Sequence, residues 1–377
     1  MGHDVIVIGG GLIGASSAFR LAQEGLRVLL LEKNHVGFGA SGCTAAMLEC
    51  QTEAHRGETF FSLALPSLRL YPSLHLEVKE LTGINFELER NGILSVALTG
   101  DEGMILRRET RWQRDRSLRA EWLDATAVAR EYPEVDSNPL GAALFCEDGQ
   151  VNGERLLAGL VLAAERSGAE VRERVGDVSL VVENGRVVGV RTREGVSAAD
   201  KIVVAAGAWC DQLLEPIGPP LGVRPVRGQL VYFERQPARG RLPVVTRRGF
   251  YVAPKSNFTI AGSTVEEAGF DTSVTPASEQ VLIEQARRLV PALVNAQVRG
   301  SAAGLRPAAT DSFLPFLGAL EDHPNVIVAA GHFRNGVLLT PITAEIVRSL
   351  VTGRRPPVDI TAYAVDRFRK RGGASGA

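Results

Sequence analysis

Gly9, Gly11, Gly14 and Glu32 have the types and spacing of a phosphate- and ribose-binding device. In Gly9-Gly10-Gly11-Leu12-Ile13-Gly14, Gly9 permits a tight reversal, Gly11 keeps a Cβ out of the path of a pyrophosphate, and Gly14 lets the next helix pack closely. Glu32 stands about 20 residues further on, where a carboxylate accepts hydrogen bonds from an adenosine ribose and repels a 2′-phosphate. The chemistry implied is binding of FAD or NAD, with NADP disfavoured. Glycines also mark ordinary turns, and a chain with 40 of them contains such spacings by chance; the surrounding pattern gives the motif its meaning. Later residues could hold a small anion. Gly304-Leu305-Arg306-Pro307 and Phe333-Arg334-Asn335 each set an arginine in a turn near a strand end, and a guanidinium fork matches a carboxylate with two parallel hydrogen bonds. Either arginine alone is equally well a surface residue of an arginine-rich chain. Tyr251, flanked by Phe250 and Val252, is either a ligand contact or a half-buried core phenol.

The glycine turn needs a strand before it and a helix after it. Asp4-Val5-Ile6-Val7-Ile8 is an almost purely apolar run suited to a parallel strand buried on both faces. Ala15 to Glu24 reads as the helix, stopped by Gly25, and Arg27 to Leu31 as the second strand. Gly37 to Met47 is rich in small residues, read either as a flexible loop or, beside this turn, as backbone against a large flat ligand. His55 to Thr82 is helical in pattern, with Pro66 and Pro72 breaking it into pieces. Phe86 to Leu98, around Asn91-Gly92, reads as a hairpin. Glu102 to Ser117, Ala125 to Glu131 and Glu154 to Ser167 read as helices. Val178 to Val182 and Arg186 to Arg193 form an antiparallel crossover before Lys201-Ile202-Val203-Val204, a buried strand closing on Ala205-Ala206-Gly207. By analogy, this is the layout of the FAD-binding rather than the NAD-binding doubly wound fold.

Val223 to Phe233, Phe250 to Ala253 and Phe258 to Gly262 read as a second antiparallel sheet, followed by a helix from Glu279 to Leu289. Asn325 to Ala330 is one more parallel strand, and a last helix starts at about Pro341 with Thr340 as its cap. The expected fold class is α/β. A doubly wound, Rossmann-like FAD-binding domain is assembled from 1–80, 145–222 and 298–366. An α+β substrate-binding domain with an antiparallel sheet comes from 81–144 and 223–297, and 367–377 is a flexible tail.

A hydrophobic content of 45% and a charged content of 23% are ordinary soluble-globular values. A net charge of −1 supplies no field to attract nucleic acid or an anionic membrane, so neither partner is expected. Cys43, Cys50, Cys146 and Cys210 show no C-x-x-C pair or metal spacing, which points to free thiols, no metal and a reducing cytoplasm. The first strand leaves no room for a signal peptide, and no apolar run reaches membrane-spanning length. There is no second dinucleotide fingerprint and no redox-active cysteine pair, so a bound FAD would take electrons directly from a small-molecule substrate.

Beyond the glycine turn, Ala45-Ala46-Met47-Leu48, Gly249-Phe250-Tyr251-Val252-Ala253-Pro254, Gly304 to Pro307, Thr310-Asp311 with Pro315, and above all Gly331-His332-Phe333-Arg334-Asn335-Gly336-Val337-Leu338-Leu339 carry a specific likeness. The chain resembles the D-amino acid oxidase family of flavoproteins, and within it the glycine oxidases of the thiamine pathway, over nearly its whole length. The resemblance implies non-covalent FAD, a small amino acid as substrate (glycine, sarcosine or a small D-amino acid), O2 as electron acceptor with release of hydrogen peroxide, and a homo-oligomer. It implies that Arg306 and Tyr251 hold the substrate carboxylate, with Arg334 and Met47 at the substrate and cofactor edge. It implies FAD contacts for Gly9, Gly11, Leu12, Ile13, Gly14, Glu32, Lys33, Ala40, Ser41, Ala45, Ala46, Met47, Val175, Gly207 and the run His332, Phe333, Arg334, Asn335, Gly336, Val337 and Leu338. Hydride leaving Cα of a neutral amine needs no general base, so catalysis would be mainly orientation. The start of the helix after Asn335-Gly336 would stabilise a reduced, anionic ring. Ala46 and Ser312 stand where glycines are expected, Gly42-Cys43-Thr44 replaces an alanine-rich stretch, and Glu49-Cys50 adds polarity near the flavin face; these bear on substrate preference. Cys43 is read as a small packed thiol rather than a covalent flavin link.

Overall fold

The computed structural model describes residues 2–135, 139–234, 242–310 and 313–367. Asp311 and Ser312 of the likeness above, and the tail from 368 onward, lie outside the described residues. Arg367, the first residue of the expected tail, is anchored: its guanidinium donates to the Pro315 and Leu314 carbonyls, both at 2.8 Å.

His3–Ile8 pairs in parallel with Val28–Leu31 on one side and with Gly195–Val204 on the other. Val326–Ala330 extends the sheet in parallel beyond Gly195–Val204, and Glu170–Arg172 beyond Val28–Leu31. Phe316–Ala319 closes one edge antiparallel. The crossover is a three-stranded meander, Ser179–Glu183, Arg186–Thr192 and the first part of Gly195–Val204, whose last strand runs on without a break into the parallel sheet. Helix Leu12–Gln23 lies between helices Gly153–Arg166 and Gly336–Thr352. Ala15, Ala18 and Phe19 share one buried cluster with Leu156, Leu160, Leu339 and Ile342.

The second sheet runs in the order Val298–Ala309, Val223–Glu234, Phe258–Gly262, Tyr251–Pro254, Val244–Thr246, Ile93–Ala97, Gly141–Phe145 and Ala120–Asp124. Val298–Ala309, from the stretch expected in the nucleotide-binding part, pairs along its length with Val223–Glu234.

Four local expectations are corrected. Gly304 to Pro307 is no turn: it lies within strand Val298–Ala309, with Arg306 paired opposite Val226. Glu58–Thr82 is one continuous helix despite Pro66 and Pro72. Residues 86–98 are not a hairpin: only Ile93–Ala97 is a strand, and Glu89 bridges instead to Gln150 while the Gly92 amide donates to the Asp148 carbonyl. The last helix starts at Gly336, with Pro341 inside it, so Thr340 is no cap; its hydroxyl donates to the Gly336 carbonyl at 2.7 Å. Proline at 341 deprives the Val337 carbonyl of its helical donor. The Tyr71 hydroxyl donates to that carbonyl, and Ser67 Oγ to the neighbouring Leu338 carbonyl at 2.6 Å. The Gly336–Thr352 helix thus depends on the Glu58–Thr82 helix for the donors that its proline removes. Tyr71→Phe leaves the Val337 oxygen buried and unpaired, which should cost about 1–3 kcal/mol; an unaltered Tm in a thermal melt would refute this pairing.

Candidate active site

A cavity of about 560 Å³ opens where the parallel strands end and reaches across to Arg306 in the second sheet. Strand carboxyl ends are where doubly wound sheets bind ligands. Gly9, Gly11, Leu12, Ile13, Glu32, Lys33, Ala40, Ser41, Gly207, His332, Phe333, Arg334, Gly336 and Val337 all line it, together with Arg306. Gly14, Ala45, Ala46, Met47, Val175, Asn335, Leu338 and Tyr251 stand outside its lining, in the layer behind.

At the nucleotide end the glycines are required for distinct reasons. Gly9 adopts φ +113°, and a Cβ on Gly14 would lie 1.8 Å from the Gly9 carbonyl oxygen. Gly11 keeps space above Ser41, whose Oγ accepts from the Leu12 amide at 3.0 Å. The Glu32 carboxylate accepts from the Gly10 amide at 2.7 Å and the Asn34 amide at 2.8 Å, which aims it at the cavity while leaving lone pairs for a ribose. Val175 is buried, with its amide donating to the Glu32 carbonyl. Ala46 adopts φ +52°, the left-handed region, which is the physical reason a glycine is expected there.

The start of helix Gly336–Thr352 opens on the cavity with no side-chain cap, and Asn335 Nδ2 is buried without a partner among the described residues. Uncapped helix amides and an orphaned donor suit an anionic or carbonyl-rich group. His332 is buried, with Nε2 3.1 Å from Thr343 Oγ1; burial lowers its pKa to about 3, so its imidazole is neutral.

At the other end the turn Gly331 to Asn335 is tied to the second sheet by a bridge between His332 and Ala308, which brings Arg334 and Arg306 to one cavity. The Arg306 guanidinium donates to the Thr264 carbonyl at 3.0 Å and to Ser263 Oγ at 2.8 Å. It has no carboxylate partner among the described residues. Ser263 also hydrogen-bonds Tyr251, whose phenol is pushed up to about 12 by burial and stays protonated. Arg334 lies 3.9 Å from Glu53 and packs against Gly249, where a Cβ would come within 2.9 Å of the guanidinium. Met47 is buried in a cluster with Tyr251, Ala45 and Leu230. Cys43 faces the cavity, but burial raises its thiol to about 11, which keeps it protonated.

Residues 4–350 match the DAO family, described as FAD dependent oxidoreductase. The chain belongs to this family. It is an FAD-dependent oxidoreductase, and the cavity's glycine turn, Glu32 and uncapped helix start fit that cofactor. Among its relatives is a glycine oxidase of Geobacillus kaustophilus, 34% identical over 97% of each chain. The crystal structure of that enzyme superposes with a TM-score of 0.91 at 33% identity, covering 97% of this chain and 99% of the other. A bifunctional protein ThiO/ThiG of Trichormus variabilis is 32% identical over 98% of this chain and 56% of its own length. The hydrogen cyanide synthase subunit HcnC of Pseudomonas aeruginosa is 32% identical over 97% of this chain and 96% of its own.

The DAO-family cavity also has walls that sequence reasoning missed. Phe38, Trp209 and Phe270 line it, with ring centroids 6.3 Å apart for Phe38 and Trp209 and 5.6 Å for Trp209 and Phe270. Phe38 lies within the Gly37 to Met47 stretch and Trp209 two residues past Gly207, both next to residues expected at the ligand, while Phe270 had no local signal. In the cofactor half, Glu32→Ala should weaken FAD binding about 10- to 100-fold, the loss of one or two charge-assisted hydrogen bonds. Fluorescence titration of apoprotein checks this, and an unchanged Kd would remove Glu32 from the ribose site.

Proposed function

We propose that this FAD-dependent oxidoreductase oxidises glycine, or a similarly small amino acid such as sarcosine or a small D-amino acid, to its imine, with O2 reduced to hydrogen peroxide. The observation that carries the reading is Arg306: a guanidinium facing the cavity, hydrogen-bonded among the described residues to neutral oxygens alone, with the protonated Tyr251 phenol linked to it through Ser263. Such a cation favours an anionic ligand. Arg306 takes the substrate carboxylate in a forked pair, and Tyr251 donates to the same group. FAD, when bound, supplies the two-electron acceptor. The chain's own part is orientation: with the carboxylate fixed, the Cα–H is aimed along the wall formed by His332 to Val337. Neutral His332 and protonated Cys43 take no proton in this step. The cofactor and substrate parts follow the two sheets, with Val298–Ala309 assigned to the second. The kinship with ThiO/ThiG supports a place in the thiamine pathway, where the imine would go to thiazole supply; a cytoplasmic homo-oligomer is proposed with it on the family resemblance alone.

Two other readings stand beside it: a dehydrogenase of similar architecture that passes electrons to a quinone or carrier protein, and, favoured by the kinship with the synthase subunit HcnC, a non-catalytic FAD-binding subunit of a larger assembly. Among the described residues no helix is long and apolar enough to cross a membrane. Anaerobic mixing of the yellow protein with glycine, sarcosine and D-alanine, followed by air, separates the readings. Bleaching with stoichiometric peroxide on reoxidation supports the oxidase, and bleaching without peroxide favours the dehydrogenase. Absence of bleaching by all three sinks the amino-acid assignment.

A further inference from the structure

The segment from Ser263 to Thr275, between strand Phe258–Gly262 and helix Pro276–Leu289, touches both halves of the cavity. At its start, Ser263 Oγ and the Thr264 carbonyl accept from the Arg306 guanidinium. Further along, Phe270 and Thr272 line the cavity, with the Phe270 and Trp209 ring centroids 5.6 Å apart. Trp209 packs over Gly39, where a Cβ would come 3.5 Å from its ring, so this wall stands beside Ala40 and Gly207 in the cofactor half. Two buried residues of strand Val223–Glu234, Arg227 and Gln229, hold the segment down; they share the strand face opposite to that of Gly228. Arg227 and Glu266 exchange backbone hydrogen bonds at 2.9 and 3.0 Å. The Arg227 guanidinium donates to the Glu266 carboxylate at 2.6 and 2.9 Å and to the Asp271 carboxylate at 2.5 Å. The Gln229 amide donates to Thr264 Oγ1 at 2.9 Å, and its side chain pairs with Glu266 and Thr275.

We propose that Arg227 is a positioning residue for both halves of the site, acting through the Ser263 to Thr275 segment; for the Arg306 half this rests on the amino-acid reading above. Arg227 is itself fixed by the sheet, where it pairs with Leu305, the neighbour of Arg306. A guanidinium carries donors for two carboxylates in a rigid plane. Glu266 takes Nε and Nη2, and Asp271 takes Nη1. Glu266 lies two residues from Thr264, and Asp271 is next to Phe270. One cation thus fixes both the acceptors that seat Arg306 and the ring that completes the aromatic wall. Arg227 stands outside the cavity lining, so it acts on geometry. Arg306 uses two of its donors on this segment, and a segment that shifts carries the fork with it.

The test compares wild type with R227Q, R227K, T264V and D271A. Acetate Kd is read on holoenzyme from the change in flavin absorbance, FAD Kd by titration of each apoprotein, and Tm by a thermal melt. R227Q should raise acetate Kd about 10- to 100-fold, the scale of a binding group displaced by about an ångström. It should also raise FAD Kd about threefold to tenfold, the scale of one aromatic contact. T264V removes the anchor beside Arg306 and should raise acetate Kd alone. D271A releases the exposed Phe270 end and should raise FAD Kd alone. R227K keeps a cation for Glu266 without the fork to Asp271, so it should restore acetate affinity further than FAD affinity. A merely structural role predicts that both constants follow Tm in every variant, and that pattern overturns the inference. If R227Q does not fold, T264V and D271A decide: the split supports the inference, and both constants moving together in either variant overturns it. Acetate affinity that is lost in R306A but unmoved in R227Q and T264V overturns the inference and leaves the carboxylate site in place. Acetate without effect on the wild-type flavin overturns the amino-acid reading as well.

Discussion

Arg306→Ala should leave a yellow, folded protein that has lost most of its grip on substrate. The guanidinium uses two of its N–H bonds on Thr264 and Ser263, and the remaining donors face a cavity in which no described carboxylate pairs with them. Removing one partner of a charge-assisted pair costs about 2–5 kcal/mol, or roughly 30-fold to several thousand-fold in KM. The dinucleotide end, from Glu32 to Gly207, does not touch this residue, so FAD stoichiometry should hold. Arg306→Lys should recover only part of the loss, since an ammonium lacks the planar fork. Steady-state kinetics with glycine, read beside the flavin-to-protein ratio, check both variants. A KM equal to that of the wild type would take Arg306 out of the substrate site.

What could be read from the chain before its fold was known followed the range of each interaction. The strand, glycine turn, helix and Glu32 are contiguous, and every constraint among them is local, so they were legible. Arg306, Arg334 and Tyr251 were legible as residue types, but each had a bland alternative until the Ala308–His332 bridge brought the two arginines to one cavity and Ser263 tied Tyr251 to Arg306 from the layer behind. The errors have a common cause. Pro341 reads as a helix start because the donor that replaces its missing amide at the Val337 carbonyl is the hydroxyl of Tyr71, far away in sequence. Asn91-Gly92 carries a sound hairpin signal, yet Glu89 found Gln150 instead. Local rules predicted the local outcome, and a tertiary partner overrode it. Phe38, Trp209 and Phe270 were missed for the same reason: three rings from three separated segments form one wall, and none is marked as a ligand contact on its own.

Gly228 shows how a residue with no chemistry can govern the site. Strand Val223–Glu234 places Gly228 opposite Gly304 and Val226 opposite Arg306, so Gly228 is the diagonal neighbour of Arg306 across the ladder. A Cβ built on Gly228 would fall 2.1 Å from Arg306 Nη1 and Nη2, while its φ lies outside the left-handed region. The glycine is there for room, not for backbone freedom. Gly228→Ala is therefore expected to fold, and to gain up to about 1 kcal/mol because its unfolded chain is less free. The clash falls on the tip of a flexible side chain, so the guanidinium moves rather than the sheet. Its hydrogen bonds to Ser263 and Thr264, and the forked pairing proposed for the substrate, cannot both survive that shift. Geometry lost by about an ångström costs on the order of 100-fold. Gly228→Ala should thus raise KM toward the Arg306→Ala value while Tm and FAD content hold or improve. A lowered Tm with KM unchanged would mean that the sheet yielded and the arginine did not, and would refute the claim that Gly228 exists to seat it.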